Sequence, residues 1–331
     1  MKRLASLAGF VLALSVTQHA LAQDAYPSRR VTVVVPSPAG STTDALARVV
    51  ADQLSKSWKQ TVVVENIARG LNVGSEHVAR ATPDGYTLLV SPPLPLTIAD
   101  MLYPTIGYKP DQFVPLSLLA KISNVLAVRK SFPANSVAEL VAYGKANQGK
   151  LTYGSQGHGS TAHLSGAQLE VRAGLKMVHV PYKGSAPALN DLIAGHIDIF
   201  FDTLTTSVPH HKAGKIKILA VASPERAPAL PKLPTIAESG FPGFRSVTWF
   251  ALAAPPKTPT ALADRINRDV VAILKRPEVD AKLRNLRLDP MIGSRADAAK
   301  FFAAETALWG KVIKEAKVKI PSATAPKAPK K

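Results

Sequence analysis

The chain has 331 residues, no cysteine, 41 Lys and Arg against 23 Asp and Glu, and a formal charge of +18. The lack of cysteine excludes disulfides, thiolate metal sites and cysteine nucleophiles. The basic excess suggests nucleic acid, but aromatic residues make up only 6% and are not interleaved with basic ones, which argues against that partner. Much of the excess instead gathers near the C-terminus, where Lys311, Lys314, Lys317, Lys319, Lys327, Lys330 and Lys331 meet only Glu315, as on a solvated basic surface.

In chain order, Lys2 and Arg3 precede an apolar run over residues 4–16 and the small-x-small triplet Ala20-Leu21-Ala22. This grammar predicts a signal peptide cleaved after Ala22 and a periplasmic protein, since the run falls short of the roughly 20 residues that span a bilayer. Short β-branched runs predict strands over 31–35, 62–65, 87–90, 116–119, 125–128, 151–153, 177–180, 197–201, 216–221 and 249–253. Helical periodicity lies between them, over 43–54, 73–81, 136–146, 160–171, 186–194 and 208–213. Strands alternating with helices predict an α/β protein with parallel sheets, and the length predicts about two domains. Further helices follow Thr258-Pro259 and the Ser294/Asp297 pair, which has capping-box spacing, and no internal repeat is evident. Residues 321–331 alternate Pro, Ala and Lys and read as a disordered basic tail.

Two strand-to-helix turns carry the chemistry. One runs through Ser37-Pro38-Ala39-Gly40-Ser41-Thr42, the other through Ser155-Gln156-Gly157-His158-Gly159-Ser160-Thr161. A helix N-terminus offers unpaired N–H groups and about half a positive charge, and glycine lets a ligand approach that backbone. Two such turns suggest an anion held from two sides. The second also spells G-x-G-x-x-A, but the following strand ends in Pro181-Tyr182-Lys183-Gly184 without the acid that binds a ribose, so no nucleotide cofactor is expected.

Other chemistry is weaker. No H-E-x-x-H occurs, His158 and His163 lie five apart and converge only with one in the turn and one on the helix, and His210-His211 diverge, so no metal is expected. No serine sits in a nucleophile elbow, and no catalytic residue or enzyme activity is assigned. Ser155, Ser160 and Thr161 read as hydroxyl donors and helix caps. Asp202 closes an apolar strand and reads either as an N-cap for residues 203–207 or as an acceptor for a ligand's amine or hydroxyl.

An ordered set of segments then becomes specific. It comprises Tyr26-Pro27-Ser28-Arg29, the loop 36–44, Val64-Glu65-Asn66, Pro83-Asp84-Gly85-Tyr86-Thr87, residues 154–163, His179-Val180-Pro181-Tyr182-Lys183-Gly184, residues 191–202, Pro234-Thr235-Ile236-Ala237-Glu238 and Trp249-Phe250. With these the chain resembles the Bug family of extracytoplasmic solute receptors, the binding component of tripartite tricarboxylate transporters. The resemblance implies a two-domain, type II periplasmic-binding-protein fold with the ligand cleft between domains. Residues 23–124 and 247–320 would form domain 1 and residues 125–246 domain 2, with crossings at residues 123–124 and 247–248. It implies a small organic anion as ligand, a mono- or dicarboxylate that includes amino and aromatic acids, and membrane permease subunits as partners. A sensing module for a membrane signalling partner is the alternative use.

The same resemblance places Pro38, Ala39, Gly40, Ser41 and Thr42 on one jaw. Ser155, Gly157, Gly159, Ser160 and Thr161 lie on the other, with Asp202 as side-chain selector. Two departures stand out. Ser41 replaces a family glycine, and Ile67-Ala68-Arg69-Gly70-Leu71-Asn72 replaces a glycine-rich segment. The second brings in Arg69, which reads either as a solvent-facing loop arginine or as a group able to pair a second carboxylate with bidentate geometry.

Overall fold

The computed structural model describes residues 26–103 and 105–320. The expected signal peptide and the basic tail lie outside the described residues.

The first half of the molecule opens with β1 (Val31–Val35), α1 (Thr42–Trp58), β2 (Val62–Asn66), α2 (Leu71–Ala79) and β3 (Thr87–Ser91). Two short helices follow, α3 (Pro93–Thr97) and α4 (Ala99–Leu102), before the long strand β4 (Val114–Arg129). The second half repeats the alternation with α5 (Val137–Ala146), β5 (Leu151–Ser155), α6 (Thr161–Ala173), β6 (Met177–Pro181), α7 (Ser185–Ala194), β7 (Ile199–Thr203), α8 (Leu204–Lys212) and β8 (Ile216–Val221). The chain then returns through β9 (Val247–Ala254), α9 (Thr260–Leu274), α10 (Pro277–Asn285), β10 (Asp289–Pro290) and α11 (Arg295–Glu315).

β1, Val-Thr-Val-Val-Val, buries four of its five residues because helices cover both faces of a parallel strand. Leu46, Ala47, Val50 and Leu54 make the buried stripe of α1 at helical spacing. α10 lacks a long apolar pattern, and its start is marked by Pro277 at the first helical position.

Strands run β2-β1-β3-β9-β4 on one side and β4-β7-β5-β6 on the other, with β8 and β10 also on β4. β1 is parallel to β2 and β3, and β5 is parallel to β6 and β7. The order β2-β1-β3 is thus matched by β6-β5-β7, a likeness of backbone that no sequence repeat announces.

The two strands expected over 116–119 and 125–128 are one strand, β4, whose early residues pair with β9 and whose later residues pair with β7 and β8. The polar residues between them interrupt the apolar pattern because the strand leaves one core there and enters the other. Asn124 is buried at this crossing. It donates to Ser246 Oγ at 2.7 Å and accepts from Thr248 Oγ1 at 3.0 Å, so the turning point is satisfied from both sides.

α11 is closed at its start by the expected box, Ser294 with Asp297. Its buried Glu305 accepts from the indole N–H groups of Trp249 at 2.9 Å and Trp309 at 3.1 Å and pairs with Arg245. Glu305→Ala would leave two buried indole donors without an acceptor. We expect a loss of about 2–4 kcal/mol, measured by urea unfolding.

Four parallel strands, β1, β2, β5 and β6, end at loops that lead directly into α1, α2, α6 and α7. Sheets of this kind place ligands beyond the C-terminal ends of such strands.

Candidate ligand-binding site

Between β1 and α1 the chain turns at Gly40, whose φ of +78° favours glycine. Ser41 caps α1 by accepting from Asp44 N–H, and Gly40 N–H donates to Asp44 Oδ2 at 2.9 Å. Asn66 at the end of β2 donates to Asp44 Oδ1 and to the Ser37 carbonyl. Burial opposes ionisation of Asp44, but Arg48, the Gly40 N–H and Asn66 together hold its carboxyl below the ordinary range. The turn is therefore clamped before any ligand arrives.

Between β5 and α6 the backbone bends at Gly157 and Gly159. Ser160 caps α6, accepting from His163 N–H and donating to the Gly157 carbonyl at 2.7 Å. Two of the glycine N–H groups are already used: Gly157 donates to Ser155 Oγ at 3.1 Å and Gly159 to His163 Nδ1 at 3.0 Å. A side chain at Gly159 would meet Leu94 and Leu102 at 2.9 Å, so α3 and α4 also pack on this turn.

A cleft of about 430 Å³ lies between the two turns. Of the residues expected to bind ligand, Pro38, Ser41, Thr42, Arg69, Gly157, Ser160 and Thr161 line it, while Ala39, Gly40, Ser155, Gly159 and Asp202 do not. The cleft brings Thr42 to 3.5 Å from Thr203 across the two halves, and Tyr103 donates to the His158 carbonyl at 3.0 Å.

Asp202 departs furthest from expectation, standing behind the wall rather than in it. It is fully buried; Oδ1 accepts from Gln156 and Ser185, and Oδ2 from Thr206 and Ser207. It is not the N-cap of the next helix either, since that position belongs to Thr203. Burial pushes its carboxyl up, and the hydroxyl donors pull it back. What it does is orient Gln156 and Ser185, both of which line the cleft.

Sequence reasoning gave no binding role to Gln156, Lys183, Gly184 or Tyr103, which also line the cleft. The signal for two of them was present: Lys183-Gly184 precedes α7 as Arg69-Gly70 precedes α2. Among the described residues, no Asp or Glu lines the cleft.

Three histidines meet beside the second turn, with ligating atoms of His158, His163 and His179 within 4.8 Å of one another. Parallel pairing of β5 with β6 sets His179 opposite Tyr153 and so against α6. The His163 and His179 rings stack at 3.9 Å with 14° between planes. A metal ion lies in the plane of each imidazole that binds it, so two stacked rings cannot share one as they stand. Burial and the neighbouring His158 lower His163 to about 4, and burial and the other two rings lower His179 to about 2, so the cluster is neutral at pH 7.

A family model described as the tripartite tricarboxylate transporter family receptor matches residues 46–318. A protein from the tcbD-tcbE intergenic region of Pseudomonas sp. strain P51 is 38% identical over 313 residues, covering 93% of each chain. The R. palustris protein Rpa4515, solved with adipate, superposes with a TM-score of 0.84 at 40% identity, over 89% of this chain and 99% of that one. The periplasmic binding protein BugD superposes with a TM-score of 0.82 at 34% identity, over 89% and 99%. On its motifs, its fold and these likenesses, the chain belongs to the tripartite tricarboxylate transporter receptor family, with the Bug solute receptors.

Proposed function

We propose that this protein captures a small organic carboxylate in the cleft between the β1–α1 and β5–α6 turns and presents it to membrane permease subunits. The observation that carries the reading is the cleft itself: the N-termini of α1 and α6 open onto it and, among the described residues, no acid lines it. Unpaired N–H groups of the first helical turn, together with hydroxyls of Ser41, Thr42, Ser160 and Thr161, replace the water lost by a bound carboxylate. Adipate bound in Rpa4515 supports a carboxylate here.

Capture rather than turnover is the reading, because the residues at the cleft are donors and walls, not a nucleophile with its base. Residues 23–124 and 247–320 are read as one domain and 125–246 as the other, hinged where β4 passes Asn124 and where β9 begins. Ligand bridging both sides favours the shut form, and the permease recognises that form. The site of action is the periplasm, after removal of the segment ending at Ala22.

A thermal-shift series with mono- and dicarboxylates tests this. A ligand at a hundred times its dissociation constant stabilises by about 2.7 kcal/mol, a rise of several degrees in melting temperature. Absence of a shift with every carboxylate would sink the reading.

A further inference from the structure

Several exposed cations on the helices of this protein stand one turn from an acid that pairs with them, as Arg48 does with Asp44, Lys56 with Asp52 and Arg284 with Asp280. The end of α11 is built differently. Lys311, Lys314, Lys317 and Lys319 are all exposed there, and Glu315 is the one acid among them, 3.8 Å from Lys311. Among the described residues, Lys314, Lys317 and Lys319 have no ion-pair or hydrogen-bond partner.

Packing fixes where these lysines stand. Trp309, Val312 and Ile313 bury one face of α11, which leaves Lys311 and Lys314 on the other. Past Glu315 the chain stays on the core, because Val318 N–H donates to the Ile313 carbonyl and Val318 and Ile320 pack against the same apolar cluster. Lys317 and Lys319 alternate with them and are exposed. A helix C-terminus favours cations only within its last turn, and Lys319 lies beyond it. The sequence carries the excess on through Lys327, Lys330 and Lys331 without another acid.

Composition decides what such a patch fits. Protein interfaces are anchored by Trp, Tyr and Arg, and fixed acids are gripped by the planar fork of arginine. From residue 311 to residue 331 the sequence has no aromatic residue and no arginine. Lysines are point charges on flexible stems, suited to a fluid anionic surface that presents no fixed pattern to match. The geometry points to a membrane-docking patch at the end of α11, in which Lys311, Lys314, Lys317 and Lys319, extended by the three lysines that follow, hold the protein on anionic phospholipid. This rests on the periplasmic reading, which puts a membrane surface within reach, and not on what the cleft binds. Its consequence is a raised local concentration of receptor beside a membrane-embedded permease.

The test is co-sedimentation of the purified protein with vesicles of phosphatidylglycerol and phosphatidylcholine, against vesicles of phosphatidylcholine alone. Wild type is compared with a variant carrying Lys311→Gln, Lys314→Gln, Lys317→Gln and Lys319→Gln. A control with the same change of net charge carries Lys145→Gln, Lys150→Gln, Lys176→Gln and Lys215→Gln, at lysines exposed on the other half of the molecule. Wild type should bind the anionic vesicles alone. It should leave them as salt rises from about 0.1 M to about 1 M, where the screening length drops from about 10 Å to about 3 Å. Each lysine close to such a surface contributes about fivefold in affinity, so the α11 variant should bind at least about a hundredfold more weakly and the control within about tenfold of wild type. Carboxylate affinity should be unchanged in the α11 variant, since none of its four lysines lines the cleft.

Equal weakening in the two variants would assign binding to net charge and overturn the patch. An α11 variant that keeps wild-type affinity, or equal binding to both kinds of vesicle, would overturn it too. No binding to anionic vesicles would overturn lipid docking outright and leave an acidic protein surface as the occupant.

Discussion

Asp202→Ala is expected to lower the melting temperature by about 10 °C and to weaken ligand binding, although Asp202 does not line the cleft. The substitution removes the acceptor for Gln156, Ser185, Thr206 and Ser207 at once and leaves a cavity at a fully buried position on β7. Loss of a buried network of this size costs about 3–5 kcal/mol. Asp202→Asn keeps the shape and one acceptor oxygen but sets an NH₂ group among four donors. Its cost should be smaller, because the three hydroxyls can turn to accept and the Gln156 amide can flip to present its oxygen. Binding should suffer in both variants, since Gln156 and Ser185 lose the group that fixes their direction. Differential scanning calorimetry and titration with a bound carboxylate check the two effects separately. If both variants melt within a degree of wild type, the Asp202 network does not anchor this wall of the cleft.

Much of the fold was legible because its signals are local. Continuous β-branched runs marked most of the strands, and Ser160 and Ser294 marked helix starts that the structure reproduces as side-chain caps. The unity of β4 was hidden, since the residues that carry it from one core to the other break the apolar pattern that announces a strand. The site was legible to the extent that it consists of loops. What sequence could not give is depth. Strand alternation put Asp202 on a face, but only pairing of β7 with β4 and packing of Ser185 and Thr206 show that the face is sealed. The glycine N–H groups of the second turn were likewise expected to face the ligand. Two of them are used by Ser155 and His163, leaving the first turn of α6 as the backbone donor to the cleft. The histidine cluster depends on a register between β5 and β6 that no local pattern encodes.

That cluster gives the protein an acid-sensitive turn. His163 is nearly fully buried, and burial first, then the neighbouring His158, lowers it from an ordinary 6.5 to about 4. Above pH 6.5 it is neutral in the folded and unfolded chain alike and has no effect on stability. Between 6.5 and about 4 the unfolded chain takes a proton that the folded chain refuses, so stability falls with pH by about 1.4 kcal/mol per unit for this group. Below that range both states are protonated and the loss, about 3 kcal/mol, is complete. His179 acts in the same direction, while Glu170 and Asp202, whose carboxyls burial raises, act in the opposite one. The clean measurement is therefore a comparison: urea unfolding of wild type and His163→Gln at pH 7, 6 and 5. The variant should lose stability less steeply, by about 1.4 kcal/mol per pH unit below 6, because glutamine can accept from Gly159 N–H without titrating. Parallel curves would show that His163 is not held neutral. Ligand affinity, a property of the folded chain, should hold through that range and fall only as the pH nears 4, since Nδ1 is the acceptor that holds Gly159 in the turn. Once protonated it can only donate, and the backbone that shapes the α6 seat loses its inner support.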